Sequence, residues 1–133
     1  MMPPYIKDLE EAVIDLRYTS EADEPAKFEV IHWGHVGKSL SNAQVLALIG
    51  YPAKSHVTCL ALNDFFETLV KAEAWHNTDE QLMVKRYQKL QHVLQNLSDI
   101  KVWIIGHIQL VIVLTGKLKN DTWVGVRTTA VQT

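Results

Sequence analysis

Val102-Trp103-Ile104-Ile105-Gly106-His107-Ile108-Gln109-Leu110-Val111-Ile112-Val113-Leu114 decides the fold of this chain. Gly106 splits it into two apolar runs, Val102 to Ile105 and Ile108 to Leu114. A third run, Thr122 to Val131, follows after the polar loop Gly116 to Asp121. Three strands in succession with short connections imply an antiparallel meander, because parallel neighbours would need a long crossover between them. The stretch is broken by Gly106, His107 and Gln109 and is shorter than the roughly 20 apolar residues needed to cross a bilayer. It is therefore read as sheet and not as a membrane span.

Upstream of this meander the pattern is mainly helical. Thr78-Asp79-Glu80-Gln81 reads as a capping box, and Met83, Tyr87, Leu90, Leu94 and Leu97 form one apolar stripe. The spacing predicts a continuous helix from Thr78 to Leu97, packed on the sheet. Ser41-Asn42-Ala43-Gln44 is another capping box, opening a helix through Val45, Leu46, Leu48 and Ile49 that Gly50 and Pro52 terminate. Ile6, Leu9, Val13 and Leu16 recur at helical spacing after Pro4, which suits a first turn and predicts a helix over 4–17. Asn63 is placed to cap a short helix bearing Phe65, Phe66, Leu69 and Val70. Residues 27–33 read as a strand, and Val57 to Leu62, apolar on both faces, as a buried central one. The expected sheet comprises 27–33, 56–62, 101–105, 107–115 and 122–131. The expected class is α+β, a three-layer α-β-α sandwich with a mostly antiparallel sheet, in one domain spanning 1–133.

Composition narrows the function classes. The chain has 133 residues, 47% of them hydrophobic and 21% charged, which is ordinary for a globular domain able to bury a sizeable core. A net charge of −2 argues against direct nucleic-acid binding, which calls for a basic patch. Cys59 is the sole cysteine, so no internal disulfide forms, and the reading is a reducing, cytoplasmic compartment. Met1 to Tyr5 lack the basic and apolar segments of a signal peptide.

The residues that could carry chemistry do not assemble a catalytic set. His32 and His35 flank a strand-to-glycine turn and lack further ligands at metal-binding spacing, so they read as ordinary histidines. Cys59, in an apolar run without a basic neighbour, reads as a buried inert thiol. Gly34-His35-Val36-Gly37-Lys38-Ser39 ends like a phosphate loop, but its glycines are only three apart and the helix begins later, at Ser41. No resident metal and no cofactor are expected. Ser20-Glu21-Ala22-Asp23-Glu24-Pro25 is different: three carboxylates in four positions raise the local negative potential. It is either a solvated turn before Pro25 or negative charge presented to a partner. Trp75, within the polar stretch Lys71 to Asp79, is either a lid on the core edge or an exposed recognition aromatic.

The whole chain resembles the nuclease A inhibitor family, small proteins that block a sugar-non-specific DNA/RNA endonuclease. The resemblance is carried by Ser20-Glu21-Ala22-Asp23 with Pro25, by Phe28-Glu29-Val30 and Trp33, and by Asp64 with Phe65-Phe66 and Trp75. Gln88-Lys89-Leu90, then Gly106, Gly116, Gly125 and the terminal Val131-Gln132-Thr133 continue it. It implies an α-β-α sandwich of the pathogenesis-related-protein-like type. It also implies occlusion as the mechanism: a loop glutamate, here Glu21, engages arginines in the nuclease site, while the C-terminal carboxylate of Thr133 reaches the nuclease's magnesium ion. Trp75 becomes an aromatic anchor, and Asp23, Glu24 and Glu73 belong to the same surface. The sequence departs from the family pattern at Glu73, where the family carries glutamine, and at Glu24, where an aromatic is common. The loops from Gly34 to Ser41 and from Gly50 to Ser55 also differ.

The leading expectation is thus a non-enzymatic inhibitor of a Mg²⁺-dependent endonuclease. The alternative is a non-catalytic interaction module on the same scaffold with another partner. A third reading, a small enzyme whose acidic loop holds its own metal, has the least support in the sequence.

Overall fold

The computed structural model describes residues 4–71, 73 and 75–132. In chain order the elements are α1 (Pro4–Val13), β1 (Arg17–Tyr18), β2 (Ala26–Lys27), β3 (Glu29–Gly34), α2 (Asn42–Ile49) and β4 (Val57–Leu60). They continue with α3 (Leu62–Phe66), α4 (Thr78–Leu94), β5 (Ser98–Gly106), β6 (Gln109–Lys117) and β7 (Trp123–Val131). The architecture is α+β. Five strands form an antiparallel sheet in the order β3-β7-β6-β5-β4, and β1 and β2 form a separate two-stranded ribbon.

The meander read from the sequence is present as β5-β6-β7, with Ile104 opposite Ile112 and Leu114 opposite Val126. β6 is the central strand and is buried from Leu110 to Gly116. Its uninterrupted apolar run follows from having both faces covered. Side chains alternate across the sheet. Val102, Ile112, Leu114 and Val126 join one apolar cluster with Leu9 of α1, Phe66 of α3 and Leu90 and Leu94 of α4. Trp103, Ile105, Val111 and Val113 join another with Val45 and Leu46 of α2. Leu9, Leu90 and Leu94 are fully buried, and burying a leucine side chain contributes about 1.5–3 kcal/mol.

Two glycines are required by the sheet. A Cβ on Gly125 would lie 2.0 Å from the Leu114 carbonyl oxygen of the neighbouring strand. Gly106 opens the β5–β6 turn at φ +107°, where a Cβ would meet the Gln109 carbonyl at 2.3 Å.

Several boundaries differ from the sequence reading. β4 is an edge strand and not a central one. Only Val57 and Leu60 turn inward, so Cys59 is an exposed free thiol and not a buried one. An apolar run reports hydrophobicity but not its neighbours, and the helices flanking β4 deliver it to the outside of the sheet. The first helix ends at Val13 because Asp15 adopts φ +59°, a left-handed conformation that aspartate tolerates. The cap of α4 is Asn77, whose side chain accepts from the Glu80 N–H while Glu80 reaches back to the Asn77 N–H. This box lies one residue before the one read at Thr78. The helix ends at Leu94, and Leu97 is buried in the turn that follows. Val84 rather than Met83 is the buried residue of its second turn. Ala61, not Asn63, precedes α3, and it provides no side-chain cap.

Candidate partner-binding surface

The acidic stretch is the loop of the β1–β2 ribbon, in which Tyr18 pairs with Ala26 and Arg17 with Lys27. A two-stranded ribbon this short has little stability of its own, so its position depends on what it packs against. Beneath it, the Tyr18 ring stacks on Phe65 (centroids 5.9 Å apart) and meets Phe28 edge-on at 6.3 Å. Phe28 in turn contacts Tyr87 at 6.1 Å, and the Tyr87 hydroxyl donates to the Arg17 carbonyl at 2.6 Å. Burial raises the Tyr18 and Tyr87 phenols above their usual range, the latter further because Tyr18 lies nearby. Both phenols are therefore neutral at physiological pH.

Above this aromatic base the loop is tied to the end of β7. The Val131 N–H donates to Ser20 Oγ at 3.0 Å, and the Ala22 N–H donates to the same oxygen at 3.3 Å. The Glu21 N–H donates to the Val131 carbonyl at 3.1 Å. One hydroxyl and one backbone pair thus join two segments more than a hundred residues apart. Glu21, Asp23 and Glu24 are all exposed around this junction. The strand end is also held on its other side, by the Gln132 N–H donating to the Ile108 carbonyl at 2.8 Å.

Glu73 and Trp75 sit on a separate loop before α4. Trp75 is 74% exposed, which excludes the core-lid reading, and its ring makes an edge contact with His76 at 4.3 Å. The loop is shaped locally: the Glu73 N–H donates to His76 Nδ1 at 3.1 Å, and Gln81 Nε2 donates to the His76 carbonyl at 3.0 Å. Thr19, at the start of the acidic loop, and His76 line one open cleft of about 210 Å³ together with Met83 and Tyr87. The tryptophan loop and the base of the acidic ribbon therefore border the same depression. Thr133 lies outside the described residues.

Two exposed apolar residues near the loop were not singled out from the sequence. Ile108, in the β5–β6 turn, is 60% exposed, and Tyr51, after α2, is 37% exposed. A large apolar residue in a turn, where packing does not require it, is the signal that could have marked both. At the same end of the sheet His56 and His107 stack with ring centroids 4.9 Å apart. Among the described residues no three His, Cys, Asp or Glu side chains are grouped closely enough to hold a metal ion. No helix of the described residues is long and apolar enough to cross a membrane.

The family model of nuclease A inhibitor-like proteins matches residues 4–133. The chain belongs to the nuclease A inhibitor-like family. Comparison with curated proteins finds none that matches it. The family description points to a protein partner, a nuclease, and to inhibition in place of catalysis. For a nuclease A inhibitor-like protein the arrangement has a direct chemical sense. It holds exposed carboxylates in a defined place, at the end of a rigid strand and over an aromatic base.

Proposed function

We propose that this protein inhibits a Mg²⁺-dependent, sugar-non-specific DNA/RNA endonuclease by occupying its active site with Glu21 and the C-terminal carboxylate of Thr133. The observation that carries the proposal is the junction of Ser20, Glu21 and Val131. It fixes the loop carboxylates beside the strand that runs toward Thr133. A site built for phosphodiesters offers arginines and a hard cation. Carboxylates pair bidentately with arginine and supply the oxygen ligands that Mg²⁺ prefers, yet present no phosphorus to attack. Asp23 and Glu24 add negative potential that steers association, and Glu73 and Trp75 form the second contact, with the exposed indole as its anchor.

In this reading the chain is a single domain over 1–133 that acts in the cytoplasm, has no catalytic activity and needs no cofactor. It touches the nuclease and not nucleic acid directly. The apolar clusters on the two faces of the sheet support the three-layer α-β-α, pathogenesis-related-protein-like architecture. The alternative, an interaction module with a different partner, shares all of these features except the target.

Calorimetry against an endonuclease recovered from the same source tests the mechanism. Glu21→Ala is expected to weaken binding by about 2–5 kcal/mol, because it strands buried arginine charge as well as removing a pair. Glu21→Gln is expected to lose less. Residues appended after Thr133 are expected to weaken binding with Mg²⁺ present more than in its absence. Unchanged affinity for Glu21→Ala rejects this mode of inhibition and favours the interaction-module reading.

A further inference from the structure

Between the acidic ribbon and the α2–β4 connection lies an open cleft of about 280 Å³. Its floor is of mixed polarity: the buried Val111 and the half-buried Val131 lie on this face of the sheet with the exposed Gln109 and Thr129. Ala22 and the exposed Glu24 form one wall, and Tyr51 forms the other. Among the described residues that line it there is no lysine or arginine. The volume is below the roughly 300–1,000 Å³ of a typical small-molecule site and suits one long side chain better than a cofactor.

We infer that this cleft receives a single arginine side chain of the partner nuclease, at a contact distinct from that made by Glu21. The chemistry of the walls selects the guest. A long aliphatic stem covers Val111, Val131 and the methyl group of Thr129 while its charged head stays at the rim. There a planar guanidinium stacks on the Tyr51 ring and pairs with the Glu24 carboxylate. Lysine satisfies the charge but neither stacks as a plane nor pairs bidentately, and its ammonium is more strongly hydrated. The position of Glu24 beside Ala22, on the loop that Ser20 ties to β7, makes this cleft continuous with the proposed inhibitory surface. The identity of the donor of that arginine rests on the proposed function.

The test titrates isotope-labelled protein with N-acetyl-arginine amide and, separately, with its neutral isostere N-acetyl-citrulline amide, following amide resonances by NMR. Arginine is expected to give saturable shifts at Ala22, Glu24, Tyr51 and Thr129 at roughly millimolar concentration; citrulline is expected to give none. Glu24→Gln and Tyr51→Ala are each expected to raise the half-saturation concentration by about tenfold or more, with Tyr51→Phe retaining the stacked ring and most of the binding. Equal responses to arginine and citrulline, or arginine shifts that avoid the cleft, overturn the inference. Nuclease inhibition then separates it from the function on which it rests. Tyr51→Ala is expected to inhibit at least about fivefold more weakly. If Tyr51→Ala inhibits like the parent while Glu21→Ala fails, the cleft contact is wrong and the proposed function stands. If both inhibit like the parent, both are wrong.

Discussion

Replacing Ser20 with alanine removes one oxygen atom and tests whether the acidic loop is held or merely nearby. Ser20 Oγ accepts from the Val131 N–H at 3.0 Å and from the Ala22 N–H at 3.3 Å. A neutral hydrogen bond contributes about 0.5–1.5 kcal/mol net, and the longer bond belongs at the low end of that range. The site is half-buried, so water replaces part of what is lost, and the expected sum is about 1–2 kcal/mol. The Glu21 N–H to Val131 carbonyl bond survives, so the loop should loosen without detaching. The loss is local, because the ribbon opens without the sheet unfolding. Amide hydrogen exchange reads it directly: the Val131 amide should exchange about 5–30-fold faster, while Ile112 in the central strand stays unchanged. Inhibition should weaken as well, since a loosened loop must be ordered again on binding. An unchanged Val131 exchange rate in Ser20→Ala would refute the claim that this hydroxyl fixes the loop, and with it the main structural support for a preorganised inhibitory surface.

Gly125→Ala is expected to destabilise by at least about 3 kcal/mol, because its Cβ meets a neighbouring carbonyl at 2.0 Å and only separation of β6 from β7 relieves the clash; a chemical denaturation midpoint close to the parent's contradicts it. Trp75→Ala should leave the denaturation midpoint within about 0.5 kcal/mol of the parent, since the indole is 74% exposed, yet weaken nuclease binding clearly. Alkaline stability follows from Tyr5, Tyr18 and Tyr87, whose phenols are raised above 10.0 chiefly by burial. Their contribution is complete below pH about 10; above it the unfolded phenols ionise first, the unfolded state binds fewer protons, and stability falls as pH rises toward the folded values. A melting temperature that stays level from pH 9 to about pH 11 would show that these rings are not buried as neutral groups. Cys59 should react with a thiol reagent in the native protein at a rate near that of the unfolded chain, because it is exposed on the edge strand.

The sequence alone determined the class of structure and most of its elements, since these depend on local periodicity and punctuation. The stripe along α4, the box opening α2 and its Gly50 stop, and the three apolar runs after residue 100 are each complete within a few turns of chain. Each was therefore legible before any contact was known. The loop Ser20 to Glu24 was legible as a cluster of charge, and the resemblance carried by it and by Trp75 pointed to the family that the whole-chain match shows.

Position and company were decided only by the tertiary structure. Whether Val57 to Leu60 lies at the centre or edge of the sheet depends on which strand pairs with it, and an apolar run is the same in either place; Cys59 is exposed for that reason alone. Asp15 ends α1 early through a single left-handed residue, which aspartate permits but does not require. The ribbon of β1 and β2 has two-residue strands with no period to read, and it exists because Tyr18 and Phe28 pack on Phe65 and Tyr87. Above all, nothing local to Ser20 or to Val131 records that they meet. Their hydrogen bond spans 111 positions of sequence and forms only once the sheet has brought β7 beneath the ribbon. Local patterns carry local energies, whereas the candidate surface is built from contacts between distant segments, and those belong to the fold.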